Sequence, residues 1–521
     1  MSDPVLEIAD LSVSRAGATV LDRFSLKLEA GESVVVLGET GSGKEALLGV
    51  LGGFADTNDT IAGTIRFAGG EARPAAKRLR PGIRVAYLPN PRSHPLAPHA
   101  TVLAQLERVV ARKLGAPPGS AREELRLALE KMPGGVTLQL LEAKPGQLDP
   151  VTLAVALLAA TSAQTPALVL ADRAMADLGP SAERALLTAL AEEKKRLGFA
   201  LLYATGGLQP AARLGGRVIV IRAGRVVEEG DAERLMSGHA HAYTRTLFKA
   251  LPRLTLDQAR PRARGQPLLQ VHGLSLQPEN ELRDGITFEL RRGASLAFVG
   301  EDGSGRRAHL RAVLGLDRAP AGRVVFDAVD LNILSQAMAS RIRRRIAFIT
   351  GTDDSLDPRM TIWDTVEEPL RAHLNLTGDL TAGYREAALK RVGLASHDGK
   401  RRVAGLSAFD KRRLQVARAI VGAPLLVVVD EPLRGLDAFA RTIMREVLTD
   451  FRVTQDPAFL VITSDFTVAQ ALADEAMVFR DGKIVERGAI VDLLRDPKDE
   501  ATKALIEAVT LPNLSQDEGS V

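Results

Sequence analysis

The stretch Gly38-Glu39-Thr40-Gly41-Ser42-Gly43-Lys44-Glu45 decides how the rest of the chain is read. It follows the apolar run Ser33-Val34-Val35-Val36-Leu37, which has the character of a buried parallel strand. It leads into Ala46-Leu47-Leu48-Gly49-Val50-Leu51, which predicts the start of a helix. Strand, glycine-rich loop, lysine and helix, in that order, make a phosphate-binding loop, or P-loop. Gly38, Gly41 and Gly43 let the backbone curl until its N–H groups converge on phosphate oxygens. Glu39, Thr40 and Ser42 complete the loop, Lys44 brings positive charge to the outer phosphates, and the helix N-terminus favours anions. The pattern asks for Ser or Thr after the lysine as a magnesium ligand, but Glu45 stands there. The fold of a nucleotide machine is therefore expected, and its chemistry has to be read residue by residue.

The loop occurs twice. Gly300-Glu301-Asp302-Gly303-Ser304-Gly305-Arg306-Arg307 follows a second apolar run, Ser295-Leu296-Ala297-Phe298-Val299, at an offset of 262 residues. Further on, ALVLAD ends at Asp172 and LLVVVD at Asp430, an offset of 258. Gly224 in IRAGRVVEEG and Gly482 in FRDGKIVERG keep the same 258. Chance similarity between apolar strands would not hold one offset over several motifs, so the chain is a duplication. The first copy is assigned to residues 1–250, a polar, proline-containing linker to 251–267, the second copy to 268–511 and a disordered tail to 512–521. Each copy opens on strands, passes its P-loop, crosses a helix-rich middle and returns to apolar strands. The fold class is α/β: two tandem P-loop domains, each with an inserted helical subdomain.

Bulk properties exclude several functions. The 521 residues carry a net charge of only +4, too slight to argue for nucleic acid. No cysteine is present, which excludes disulfides and thiol chemistry. The N-terminus lacks a basic region before an apolar core and does not read as a signal peptide. The longest apolar stretch, Val151 to Ala163, is too short to span a bilayer. The expected protein is cytoplasmic, inserts nothing into the membrane itself, and reaches the membrane's inner face only through a partner. Two basic clusters, Arg341 to Arg345 and Lys411 to Arg413, have no aromatics between them for base stacking and are read as solvated surface.

The chain resembles ATP-binding cassette (ABC) proteins with two fused nucleotide-binding domains, and in detail the oligopeptide, dipeptide and nickel importer ATPases. SLDPRMTIWDTVEEPL at 355–370, HAHAYTRTLFKALP at 239–252 and DEPLRGLD at 430–437 carry the resemblance, which covers nearly all of both halves. It implies domains that pair head to tail on a membrane permease. Each ATP would lie between the P-loop of one half and a signature segment of the other.

The same resemblance locates departures from the family's chemistry. Its adenine-stacking aromatic falls at Arg15 in half one and at Leu276-Gln277-Pro278 in half two. Its Q-loop glutamine falls at Pro89 and Thr350. The signatures read LDPVT at 148–152 and LSAFD at 406–410, without their glycines. What remains there is helix-start chemistry: Asp149 as N-cap, Pro150 in the first turn, and Ser407 with Asp410 as a capping box. The catalytic glutamate position is Arg173 in half one and Glu431 in half two. The switch histidine position is Gly206 and Ser464, and the D-loop aspartate position Gly179 and Asp437.

Two composite sites follow. Site one joins Lys44, Asp172 and Arg173 to LSAFD and keeps a P-loop able to hold ATP. Site two joins Gly300, Gly303, Ser304, Gly305, Arg306, Asp430 and Glu431 to LDPVT. It keeps a catalytic glutamate but not the P-loop lysine, and arginine is not a conservative replacement for it. ATP is expected at site one rather than site two. Magnesium is in question at both, because Glu45 either ligates it or repels the phosphates, and Arg307 replaces its hydroxyl ligand. The leading expectation is a non-hydrolysing scaffold or regulatory subunit of a larger protein complex. The alternative is the ATP-binding subunit of a peptide- or nickel-type importer, with Glu431 as its catalytic residue and an integral-membrane permease as its partner.

Overall fold

The computed structural model describes residues 3–68, 70–76, 83–91, 96–115, 117–236, 241–249, 254–255, 265–276, 285–334, 336–352, 355–374, 378–395 and 398–510. The tail 512–521, Gln277-Pro278 and most of the linker assigned to 251–267 lie outside them.

Each half is built on one sheet whose strand order repeats. In half one the order is Arg225–Asp231, Arg217–Arg222, Ser33–Leu37, Ala200–Thr205, Leu168–Asp172 and Val85–Leu88. In half two it is Lys483–Ala489, Glu475–Arg480, Ser295–Val299, Ala458–Thr463, Leu426–Asp430 and Ile346–Thr350. The strand leading into each P-loop is central and parallel to both neighbours. All five residues of Ser33–Leu37 and of Ser295–Val299 are buried, because helices and a second sheet cover the two faces. That second sheet is antiparallel and again repeats, from Leu6–Arg15, Ala18–Leu28 and Asp59–Phe67 in half one to Pro267–Ser275, Ile286–Arg291 and Ala321–Phe326 in half two.

The apolar run at 151–163 forms the helix Pro150–Ala163, whose sides are buried almost all round within half one. Among the described residues no helix is long and apolar enough to cross a membrane. Within the segment assigned as linker, Leu254 packs on the core of half two, and the Thr255 amide donates to Gln470 Oε1 at 3.1 Å. One correction concerns the surface: the cluster Lys411 to Arg413 is not all solvated. Arg412 is buried and donates to the Gly351 carbonyl at 2.6 Å, while Arg413 stacks 4.0 Å over the Phe409 ring.

The halves face each other directly. The Ala438 amide donates to the Gly206 carbonyl at 2.9 Å, and the Thr40 amide to Asp437 Oδ2 at 2.9 Å. The C-terminal helix Glu500–Val509 of half two packs on Pro180–Leu197 of half one, with Arg184 3.2 Å from Glu507.

Candidate functional site

The first loop connects the strand Ser33–Leu37 to the helix Lys44–Gly52. Two of its glycines are forced. A Cβ on Gly38 would stand 2.4 Å from the Ile221 carbonyl oxygen, and Gly43 has φ 105° with the Val20 carbonyl 2.6 Å from where a Cβ would be. Lys44 is 2% exposed and turns into its own loop, donating to the carbonyls of Gly38 (2.7 Å) and Glu39 (2.6 Å) and to Ser42 Oγ (3.0 Å). Burial brings its pKa down to about 8, with Glu45 opposing and Arg173 adding to the shift. Asp172 is buried at the end of its strand and accepts from the Tyr87 hydroxyl at 3.0 Å. Glu45 lies exposed at the mouth of the loop.

Half two closes this site. A cavity of about 620 Å³ is lined by Glu39, Thr40 and Arg173 on one side and by Ser407, Phe409 and Asp437 on the other. Ser407 caps the helix Ala408–Val421 by accepting from the Asp410 amide at 3.1 Å, and its hydroxyl meets the Asp410 carboxylate at 2.9 Å. Asp437 caps the helix Ala438–Gln455 through Oδ1 and holds the Thr40 amide through Oδ2. The structure thus brings Gly38 to Glu45, Asp172 and LSAFD together. A triphosphate suits the glycine cradle, the first-turn amides of Lys44–Gly52 and an ammonium that need only exchange its loop carbonyls for phosphate oxygens. Arg15, the expected adenine-stacking position, is instead paired with Asp59 through two bonds of 2.8 and 2.9 Å.

Site two has the same frame and a different occupant. Arg306, 2% exposed, turns its guanidinium into the loop, where it donates to the carbonyls of Gly300 and Glu301, to Asp302 Oδ1 at 3.1 Å and to Glu431 Oε1 at 2.7 Å. Arg434 closes the ring, reaching Asp302 Oδ2 at 2.9 Å and Glu431 Oε1 at 2.9 Å. Ser464 donates to the same Glu431 oxygen through its amide (2.8 Å) and its hydroxyl (2.9 Å). Arg307 donates to both oxygens of Asp430, at 3.1 and 3.0 Å. Burial pushes the Asp430 carboxyl upward against the pull of Arg307, and burial lowers the Arg306 guanidinium despite Glu431 and Asp302.

Glu431, expected as a water-polarising base if the site is active, is engaged by two arginines, a serine and, at 3.3 Å, the Thr463 hydroxyl. The cradle of Gly300, Gly303, Ser304 and Gly305 is filled from within by Arg306. The facing signature is present: Asp149 caps Pro150–Ala163 through bonds from the Val151 (2.9 Å) and Thr152 (3.0 Å) amides, and it borders a cavity with Glu301, Asp302 and Ser464.

Four participants carried no role in the sequence reading. Arg434 and Asp302 complete the site-two ring. Asn90, one residue past the expected Q-loop position, is buried and donates to the Arg173 carbonyl (3.0 Å) and Asp177 (2.9 Å). Tyr243, inside the segment HAHAYTRTLFKALP, donates to Glu39 of the first P-loop at 2.7 Å. Arg434, Asp302 and Tyr243 all lie inside motifs already singled out, but nothing in those motifs marks their contacts.

Comparison with known proteins agrees with this frame. The family model described as ABC transporter matches residues 21–176 and 283–434. The model described as oligopeptide/dipeptide transporter, C-terminal region, matches residues 227–274. An uncharacterized ABC transporter ATP-binding protein, YejF, of Escherichia coli K12 is 29% identical over 97% of this chain and 99% of its own length. The peptidoglycan transport ATP-binding protein YejF of Agrobacterium fabrum C58 is 28% identical over 97% of this chain and 96% of its own. The glutathione import ATP-binding protein GsiA of Escherichia coli K12 is 27% identical over 95% and 87%.

Proposed function

Since the chain belongs to the ABC transporter family, we propose that it is the fused ATP-binding subunit of an importer for peptide-class solutes, seated through a permease on the inner face of a membrane. We further propose that it acts on that permease by holding nucleotide in site one rather than by fast turnover. The observation that carries the first part is the match through residues 227–274 to a segment particular to oligopeptide and dipeptide transporters. That segment delivers Tyr243 to the first P-loop, tying the family-specific addition to the nucleotide site. Relatives named for peptidoglycan transport and glutathione import, both solutes with peptide bonds, align with this chain over almost its whole length.

The second part rests on what each site would need to hydrolyse ATP. Phosphoryl transfer depends on positioning and on charge stabilisation. Loss of one stabilising donor costs roughly 10²–10³ in rate. Site one has Arg173 where a base would act, and site two has its carboxylate tied to Arg306 and Arg434. That ring also favours a second reading, a non-hydrolysing scaffold outside transport.

Uptake of labelled di- and tripeptides by cells lacking this chain separates the two. Loss of uptake, restored by the wild-type chain and not by Lys44→Ala, supports the importer subunit. Unchanged uptake overturns it in favour of the scaffold. Phosphate release by the purified protein that is abolished in Glu431→Gln would overturn the account of the sites.

A further inference from the structure

The two P-loops carry a glutamate at the same place, Glu39 in half one and Glu301 in half two. The halves treat it differently. Glu39 is half-buried, and its carboxylate accepts from the Tyr243 hydroxyl at 2.7 Å. Glu301 is exposed. The difference lies in the last described helix of each half, Ala242–Lys249 and Glu500–Val509. Thr244 and Thr502 stand 258 residues apart, as do Leu247 and Leu505, and all four are buried. His241 and Asp499 keep the same spacing, and each accepts the amide two residues on, at 3.2 Å from Tyr243 and 2.8 Å from Ala501. The frame is repeated, but where half one has Tyr243 half two has Ala501.

Tyr243 is 7% exposed, and the Arg222 guanidinium lies over its ring, 4.6 Å from the centre. Burial and the bond to Glu39 push its hydroxyl well above the ordinary tyrosine range, so it stays a donor at every working pH. Glu39 lines the site-one cavity. Its backbone carbonyl accepts from the Lys44 ammonium at 2.6 Å. The carboxylate of the same residue is therefore within a side-chain rotation of the cation that a phosphate has to win. The next amide, that of Thr40, is held by Asp437 of half two at 2.9 Å. Asp437 and Glu45 already place negative charge around Lys44. A free carboxylate on Glu39 would add to them, compete for the ammonium and repel the phosphates. The tyrosine hydroxyl satisfies that carboxylate without bringing a cation to it.

We infer that Tyr243 is a positioning residue for the nucleotide of site one: it holds the Glu39 carboxylate off Lys44, so that the ammonium is left for a phosphate. This rests on the nucleotide-binding reading of site one given above. The asymmetry between the halves supports it. The tyrosine stands where the loop lysine is bonded only to its own loop. Alanine replaces it where Arg306 fills the cradle and is bonded to Glu431. A role in packing alone would not require the hydroxyl to meet a P-loop carboxylate.

The test is equilibrium dialysis of the full-length protein with labelled ATP, for the wild type, Tyr243→Phe, Glu39→Gln and the double variant. Phenylalanine keeps the ring beneath Arg222 and removes only the donor. Tyr243→Phe is expected to weaken ATP binding about tenfold, the lower end for a bond to a charged group. In the Glu39→Gln background the same change is expected to move the dissociation constant by less than about twofold, because no charge is left to position. The loss in Tyr243→Phe should grow as salt is lowered from about 0.5 M to about 0.05 M. A merely structural role for the ring would show neither the rescue nor the salt dependence. Glu39→Gln alone, which serves if Tyr243→Phe does not fold, is expected to tighten ATP binding about threefold.

Unchanged ATP affinity in Tyr243→Phe would overturn this inference and leave the nucleotide-binding reading standing. So would an equal loss in the Glu39→Gln background, which would make Tyr243 a packing residue. So would looser binding by Glu39→Gln, which would make the carboxylate a ligand of the nucleotide. No ATP bound by the wild-type protein would overturn both.

Discussion

Replacing Glu431 by glutamine separates a structural carboxylate from a catalytic one. A base that polarises water faces the solvent-filled site, and its amide variant folds normally while losing turnover. Here Glu431 is 5% exposed, and its Oε1 accepts from Arg306 (2.7 Å), Arg434 (2.9 Å) and the amide (2.8 Å) and hydroxyl (2.9 Å) of Ser464. The amide keeps the shape and one acceptor but removes the charge. Two buried guanidiniums are then left to share Asp302. Breaking a buried ion pair from one side costs about 3–5 kcal/mol, and the retained acceptor and Asp302 place this change near the lower end, about 3 kcal/mol. For a unit of this size that is a fall of roughly 6–12 °C in its unfolding midpoint. The chain has a single tryptophan, Trp363, which lies in half two against Arg385, so its fluorescence reports the unfolding of that half alone. Asp317→Asn is the control: its pair with Arg311 is half exposed on both sides, so solvent screens it and the midpoint should hardly move. A shift below about 2 °C for Glu431→Gln would refute the ring as a structural unit.

Other expectations follow from the same geometry. Burial holds Lys44 at about 8 against an ordinary 10.5, so above pH 8 the folded chain loses a proton that the unfolded chain keeps. Folding stability then rises with pH between those values, whereas ATP affinity, which needs the ammonium, falls by up to about tenfold per unit above pH 8; dialysis at successive pH values checks this. Glu183 borders the cavity between the halves, and burial pushes its carboxyl up to about 7, with Arg441 and Arg213 opposing and Asp465 adding. The folded chain thus binds the extra proton between about 4.5 and 7; the melting midpoint should fall as pH rises through 7, and Glu183→Gln should flatten that dependence. Asp149→Ala removes the acceptor of the Val151 and Thr152 amides and should cost about 1 kcal/mol in urea unfolding, while Asp149→Ser should cost much less.

The repeat was legible because offsets of 262 and 258 residues survive over motifs whose apolar strands and glycines the fold demands twice. The caps were legible because Asp149-Pro150 and Ser407 with Asp410 are local arrangements of a few adjacent residues. The site-two ring was not. Arg434 lies 128 residues after Arg306, and nothing in DEPLRGLD says that its arginine turns inward; only the folded sheet brings the two to one carboxylate. Arg412 was misread for a related reason. Three consecutive basic residues on a helix point in directions about 100° apart, so one of them faces the core whatever the composition suggests.

Two glycines at the seam are tied to how closely the halves approach. A Cβ on Gly206 would stand 2.6 Å from the Asp437 Cβ, and one on Gly179 would stand 2.8 Å from Ser464 Oγ, distances at which something has to move. Gly206 and Gly179 are the positions where the resemblance places a switch histidine and a D-loop aspartate. Their absence lets the Ala438 amide reach the Gly206 carbonyl and the Thr40 amide reach Asp437. A histidine at 206 would part those bonds, so the small residue there and the fit of the two halves go together. The glycine turns, the helix caps and the arginine–carboxylate ring of site two all belong to the same close apposition of the two halves.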